Sequence, residues 1–162
     1  MPPDLKKSAK RILPLVSAGL FFLSLLETCL YTKNVYGSIN GVPGFELLAI
    51  GWIGLVFFFM AVAANPLGVP GFILSGTLAW LANPLLWLSW GFVLRKKTRY
   101  AGALAVAALL FMLSTFFMKT LPQGDTASVP IVGYGPGYWL WLGSAVIILA
   151  GAFALRDEKG PD

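Results

Sequence analysis

The residue types that most often carry enzyme chemistry are scarce in this chain. It contains no histidine and a single cysteine, Cys29, which excludes His-dependent triads, His metal sites and thiolate clusters. No Walker-type or dinucleotide-binding glycine loop occurs in the sequence. We therefore expect no catalytic residue, no metal and no cofactor. An enzyme would have to rely on Glu, Asp, Ser or Tyr, and we predict that the protein is not one.

Two carboxylates lie close to long apolar runs. Glu27 falls near the end of the first run and Glu46 at the start of the second. A charge inside a bilayer is costly, so an intramembrane carboxylate is a candidate for proton binding or for contact with a partner. Both residues also lie near the same predicted outer face, where a carboxylate can reach water or pair with Lys33. Glu27 and Glu46 are thus candidate functional carboxylates, with a solvated role as the alternative.

A third candidate is the run Ile131-Val132-Gly133-Tyr134-Gly135. It differs by one residue from the T-V-G-Y-G filter of potassium channels, whose backbone carbonyls replace the hydration shell of the ion. The preceding residues 119–130 contain two prolines and no apolar periodicity, so no pore helix is expected to support a filter. The sequence instead predicts a glycine turn and an interfacial aromatic anchor, formed by Gly133, Tyr134, Gly135, Tyr138, Trp139 and Trp141.

The elements that position these residues follow from the composition. The chain has 162 residues, of which 57% are hydrophobic and 12% charged, whereas soluble domains carry roughly 25% charged residues. Its long, continuous apolar runs are typical of membrane helices and not of a β-barrel. We expect an all-α membrane protein, a compact bundle of four to five transmembrane helices forming one domain over residues 1–162. The predicted segments are 12–31, 46–64, 71–94, 100–118 and 138–155.

The basic residues indicate how these segments are oriented. The net charge is +5, but the basic clusters lie just outside apolar segments, which indicates cytoplasmic loops and not a nucleic-acid surface. Five crossings from an inner N-terminus would leave 5 basic residues inside and 7 outside. If one segment between 46 and 94 makes no net crossing, the counts become 10 and 2. We therefore predict an even number of crossings, an uncleaved first helix, and both termini on the cytoplasmic side of a bacterial inner membrane.

The segment that turns back is suggested by two copies of Ala-Asn-Pro-Leu, at 64–67 and 82–85. Asn as N-cap followed by Pro is typical of a helix start. Asn83-Pro84 would then divide segment 71–94 into two half-helices, and Asn65, Asn83 and Pro84 become candidate half-helix tips. Such tips bind ions and substrates in transporters. The alternative is a single helix kinked at Pro84.

These features favour an interaction protein of the membrane. It would be an accessory subunit of a membrane complex, or an immunity-type protein that binds a membrane-active toxin. The expected partners are the lipid bilayer and a membrane protein or second copy, with the loops 32–45 and 119–137 as recognition surfaces. Small residues such as Ala101, Ala105 and Ala108 would pack within the bundle or against another subunit. The alternative function is an oligomeric channel or small-solute transporter whose path is lined by Asn83, Asn65 and Glu27.

Overall fold

A computed structural model describes residues 3–65, 68, 71–123 and 127–155. The described chain is mostly helical and contains a small antiparallel sheet. Its α-helices are α1 (Pro3–Leu26), α2 (Gly44–Ala64), α3 (Gly71–Leu94), α4 (Thr98–Leu113) and α5 (Pro136–Ala154), and a 3₁₀ turn (Ser114–Phe117) extends α4. Its strands are β1 (Thr28–Lys33), β2 (Ile39–Pro43), β3 (Thr120–Gln123) and β4 (Ala127–Tyr134).

Four helices are long and apolar enough to cross a membrane. They are α2, α3 from Ile73 onwards, α4 together with its 3₁₀ turn, and α5. Helix α1 adds a shorter apolar stretch, Ile12–Leu26. These helices correspond to the five predicted segments, and the helical membrane class is thereby supported by length and composition. The predicted first segment, 12–31, is too long, because residues from Thr28 onwards form a strand.

Helices α1, α3, α4 and α5 form an antiparallel bundle. The Ser17 hydroxyl donates to the Ser144 carbonyl at 2.7 Å and joins α1 to α5. The Ser89 hydroxyl donates to the Ala101 carbonyl at 2.8 Å and joins α3 to α4. Trp90 in turn donates its indole N–H to the Ser17 hydroxyl at 2.8 Å. Serine hydroxyls thus link all four helices. Such bonds are expected where no water is present to pair with polar groups.

The small residues of α4 form the closest-packed face of this bundle. Ala101, Ala105 and Ala108 are fully buried and recur at helical spacing, so α3 and α5 can approach the α4 backbone. They share one hydrophobic core with larger side chains from the other helices, including Phe21, Leu86 and Ile148. The prediction that these alanines pack within the bundle is confirmed.

Helix α3 runs without interruption past Asn83 and Pro84, so the predicted division into half-helices is wrong. Proline lacks the N–H that would donate to the carbonyl four residues earlier, which is that of Trp80. The Asn83 amide N–H donates to this Trp80 carbonyl at 3.0 Å and takes the place of the missing donor. The Asn83 carbonyl oxygen accepts the Trp141 indole N–H at 2.9 Å and ties α3 to α5. The pair is therefore a repaired helix interior and not a helix start.

The other Asn-Pro copy also differs from the prediction. Asn65 is the C-cap of α2, and its N–H bonds to the Ala61 carbonyl at 2.9 Å. It therefore ends a helix instead of starting one. The proline that follows it lies outside the described residues.

The sheet is the element that the sequence analysis missed. Its strand order is β2-β1-β4-β3, and all neighbours are antiparallel. Most of the two segments predicted as loops, 32–45 and 119–137, therefore belongs to strands, and the all-α class is corrected to helices with a small sheet. A turn closes the β1–β2 hairpin, where the Asn34 side chain accepts the N–H groups of Tyr36 and Ser38 at 3.0 and 2.9 Å. Gly37 completes this turn with a φ of 85°, a conformation that favours glycine.

Helix α2 lies outside the bundle and pairs with the first half of α3. The Trp80 indole donates to the Leu48 carbonyl at 3.0 Å, and the Thr77 hydroxyl approaches the Gly54 carbonyl at 3.4 Å. Helix α2 starts beside the end of α1, where the Gly44 N–H bonds to the Glu27 carbonyl. Helix α3 starts at this same end. Both ends of α2 therefore lie on the side of the bundle at which α1 ends and α3 starts.

The Asn83 amide gives a direct test of this architecture. Replacing Asn83 by Ala removes the donor for the Trp80 carbonyl and the acceptor for the Trp141 indole, so we expect a loss of roughly 1–3 kcal/mol of stability. The double change Asn83→Ala/Pro84→Ala supplies a backbone N–H at position 84 and should restore part of that loss. Thermal unfolding in mild detergent measures both variants. An Asn83→Ala protein as stable as the parent would contradict the proposed role of the amide.

Candidate functional site

The connections between the bundle and the sheet meet at Cys29. The Gly135 N–H bonds to the Cys29 carbonyl at 2.9 Å, and the thiol lies 3.5 Å from the Ser24 carbonyl. A Cβ atom at Gly137 would lie 2.8 Å from the Cys29 sulfur and 2.8 Å from the Glu27 carbonyl oxygen. Backbones of α1, β1 and α5 therefore touch here, and only glycine leaves room for them.

The Ile131–Gly135 run does not form the predicted turn. Residues up to Tyr134 belong to β4, where Gly133 pairs with Tyr31 and Tyr134 pairs with Leu30 of β1. Gly135 is the N-cap of α5, and Pro136 occupies the first turn of that helix. The run therefore lies in a sheet ladder, and it is not arranged as a ring-forming filter loop.

The aromatic residues around this run divide into buried and exposed ones. Tyr138 is 1% exposed and its hydroxyl donates to the Met112 carbonyl at 3.2 Å, so it is a core residue and not part of an interfacial belt. The Tyr134 hydroxyl donates to the Thr115 carbonyl at 3.0 Å, and burial raises the pKa of Tyr134 above its ordinary value. Trp139 is 56% exposed, as an anchor residue would be. Trp141 is half-buried, and its indole N–H donates to Asn83.

The predicted functional carboxylates stay at the surface. Glu27 follows the last residue of α1, Glu46 lies in the first turn of α2, and both side chains are exposed. Neither lines the cavity described next, and Asn65 lies at the far end of α2. The structure therefore does not bring Glu27, Asn65 and Asn83 together.

A cavity of about 680 Å³ lies between α2, the first half of α3 and the sheet. Its walls are mostly apolar, and those of its lining residues that the structure describes are all uncharged. Leu47, Ile53 and Phe57 line it from α2, Ile73 and Ala79 from α3, and Leu121 from β3. Asn83, Thr77 and Trp80 form its inner end. This volume falls within the range of roughly 300–1,000 Å³ that is usual for small-molecule sites.

Trp80 lines this cavity and packs against α2. Its ring lies against the Cα atom of Gly51, and a Cβ atom there would overlap the ring. Its indole N–H is bonded to Leu48, as described above. Gly54, one turn further, has no atom within 4 Å of the position of a Cβ atom, although it lines the cavity. The spacing of Gly51 and Gly54 among large residues of α2 is the one sequence signal that could have located this site.

Comparisons with protein-family models, with curated proteins and with solved structures find no match. The function of this chain therefore has to be argued from its own geometry.

The glycine junction predicts which substitution the fold will not tolerate. A methyl group at Gly135 would overlap the Thr28 carbonyl oxygen, whereas one at Gly133 would meet its nearest atom at 3.7 Å. We expect Gly135→Ala to cost roughly 1–3 kcal/mol, the usual cost of overpacking, and Gly133→Ala to cost much less. Melting temperatures in detergent measure both. Equal melting temperatures for the two variants would contradict the close approach at Gly135.

Cys29 gives a prediction with a pH dependence. Burial raises the pKa of its thiol from 9.0 to about 11, so the reactive thiolate is scarce at neutral pH. Alkylation of the folded protein by a water-soluble maleimide should be slow at pH 7.5 and should accelerate up to about pH 11. The same protein unfolded in dodecyl sulfate is the control and should react readily. Rapid labelling of the folded protein at pH 7.5 would contradict the burial of Cys29.

Proposed function

We propose that this chain is a membrane-embedded interaction protein that binds a transmembrane helix of another membrane protein. The binding surface is the outward face of α2, defined by side chains that are 47–62% exposed. They are Phe45, Trp52, Val56, Phe59 and Met60.

The observation that carries this proposal is the contrast between the apolarity of α2 and its lack of burial. Its mean hydropathy is 2.5, the highest of the four candidate spans, and none of that window is buried. The windows of the other three are 28–39% buried. Large exposed apolar patches mark partner or membrane contacts. Aromatic residues and Met, which this face contains, are enriched at protein interfaces.

The position of α2 favours a protein partner over lipid alone. The first half of α3 gives α2 its main support, and the end of α1 and strands β1 and β2 contact it as well. About ten residues of α2 follow Gly54, a length of roughly 15 Å. This part of α2 extends beyond the level at which the bundle core ends. The exposed apolar side chains of this part of α2 need an apolar surface along the length of the helix, and a partner helix provides one. The role as an accessory subunit or as an immunity-type protein fits this arrangement equally well.

The polar groups of the bundle support binding over transport. The buried hydroxyls of Ser17, Ser89 and Thr115 all donate to backbone carbonyls. The Asn83 side chain donates to the Trp80 carbonyl and accepts from the Trp141 indole. Within the described residues, no buried side-chain polar atom lacks a partner. Transport paths use free polar groups or charges, and the core offers few.

The orientation in the membrane stays part of this proposal. Leu13 lies beside Gly151, so the apolar stretch of α1 begins where α5 ends. The exposed Arg95–Lys97 turn follows α3 at this same end. We place this basic end in the cytoplasm of a bacterium and the sheet on the other side of the inner membrane, following the positive-inside rule.

Site-specific photo-crosslinking tests the proposed surface. A photoreactive amino acid at Trp52 or Phe59 should crosslink one discrete membrane protein in the cells that make this chain. Leu110 of α4, which is 61% exposed, is the matched position outside the surface and should label lipid. The double variant Trp52→Ala/Phe59→Ala should lose the partner in mild-detergent purification, because buried aromatic anchors contribute about 2 kcal/mol or more each. Lipid adducts alone at all three positions would refute the proposal.

A further inference from the structure

We propose that the cavity between α2, α3 and the sheet is a binding site for the acyl chain of a membrane lipid. This site is distinct from the outward face of α2, because its α2 wall centres on Gly54, which lies on roughly the opposite side of that helix from Val56. It therefore goes beyond the proposed protein partner.

The chemistry of the lining selects hydrocarbon. Within the described part of the chain, the side chains that line the cavity include no charged residue, so an ion or a charged metabolite would lose its hydration without compensation. The polar groups at the inner end are already engaged. The Trp80 N–H, the Asn83 amide and the Thr77 hydroxyl bond to backbone carbonyls or to an indole of this chain. A sugar or another polar ligand would find few free partners.

The shape of the cavity fits a chain that enters from the side. One wall is α2, whose other faces are exposed and apolar, so the surroundings of the opening are those in which lipid tails lie. The opposite wall includes Leu121 of β3, and Tyr138 and Trp141 lie at the inner side. A flexible hydrocarbon chain fills an irregular apolar space of this kind, and emptiness would cost stability through lost contacts.

Two glycines allow the cavity to be filled without disturbing the fold. A Cβ atom at Gly54 would meet no atom within 4 Å, and one at Gly76 would meet only the Met118 methyl group at 3.6 Å. Both positions line the cavity. Gly54→Leu and Gly76→Leu are therefore two independent plugs, one from each helix, and leucine also has the higher helix propensity. Gly19→Leu is the matched control, because Gly19 of α1 has equally free space and does not line the cavity.

The test uses the full chain in phosphatidylcholine vesicles that contain a lipid with a diazirine in the middle of one acyl chain. After illumination, mass spectrometry locates the labelled residues. We expect label on Leu121 and Ile73 in the parent protein, since a sheet residue reaches the middle of an acyl chain only through the cavity. Label on the exposed Leu110 of α4 serves as the internal reference.

Either plug should reduce the label on Leu121 by about tenfold, the effect of losing roughly 1.4 kcal/mol of binding free energy. Gly19→Leu should leave it unchanged, and melting temperatures show that each variant is folded. The proposal is overturned if Leu121 is not labelled in the parent protein, or if its label persists in every folded plug variant.

Discussion

The architecture depends on one side chain that replaces a missing backbone donor. Within an apolar environment a helix must satisfy its own carbonyls, and Pro84 removes the donor for Trp80. Because the Asn83 amide supplies that donor and also accepts from Trp141, α3 continues as one helix of 24 residues. Its second half belongs to the bundle and its first half carries α2. Without this repair α3 would bend or end at its middle, and the bundle and α2 would have no common support.

The length of α3 also explains where the sheet lies. Helix α1 ends at Leu26 and α5 begins at Pro136, so the chain leaves and re-enters the bundle beside the first half of α3. The strands between these points have no room inside the bundle and pair with one another at its end. Their closest contact with the helices is at Cys29 and Gly135. The cavity is the space between this sheet and the α2–α3 pair.

The sequence predicts the helices well and the sheet poorly, for a physical reason. Long apolar runs locate α3 to the residue and α2 to within two residues, because no charged residue occurs in residues 47–64 or 71–94. Only Glu27 and Thr28 separate the apolar residues of α1 from those of β1, so the sequence hides the change from helix to strand at Thr28. The Asn83-Pro84 pair misleads for a different reason. The local preference for a helix start is overridden by a hydrogen bond from Trp141, 58 residues away, which no local pattern contains. The even number of membrane crossings stays a prediction.

The two proposals rest on the same physical requirement. A helix that is apolar on all sides is stable where its surroundings are apolar on all sides, yet only Gly44 of α2 is buried by the rest of the chain. One side of α2 rests on Trp80, a second opens to the cavity and a third faces outward. Each of the last two must be covered by something that this chain does not provide. The apolar cavity suits a flexible hydrocarbon chain, whereas the ridge of Trp52, Val56 and Phe59 suits the groove of a second helix. A single lipid and a single partner helix would together give α2 the environment that its sequence requires.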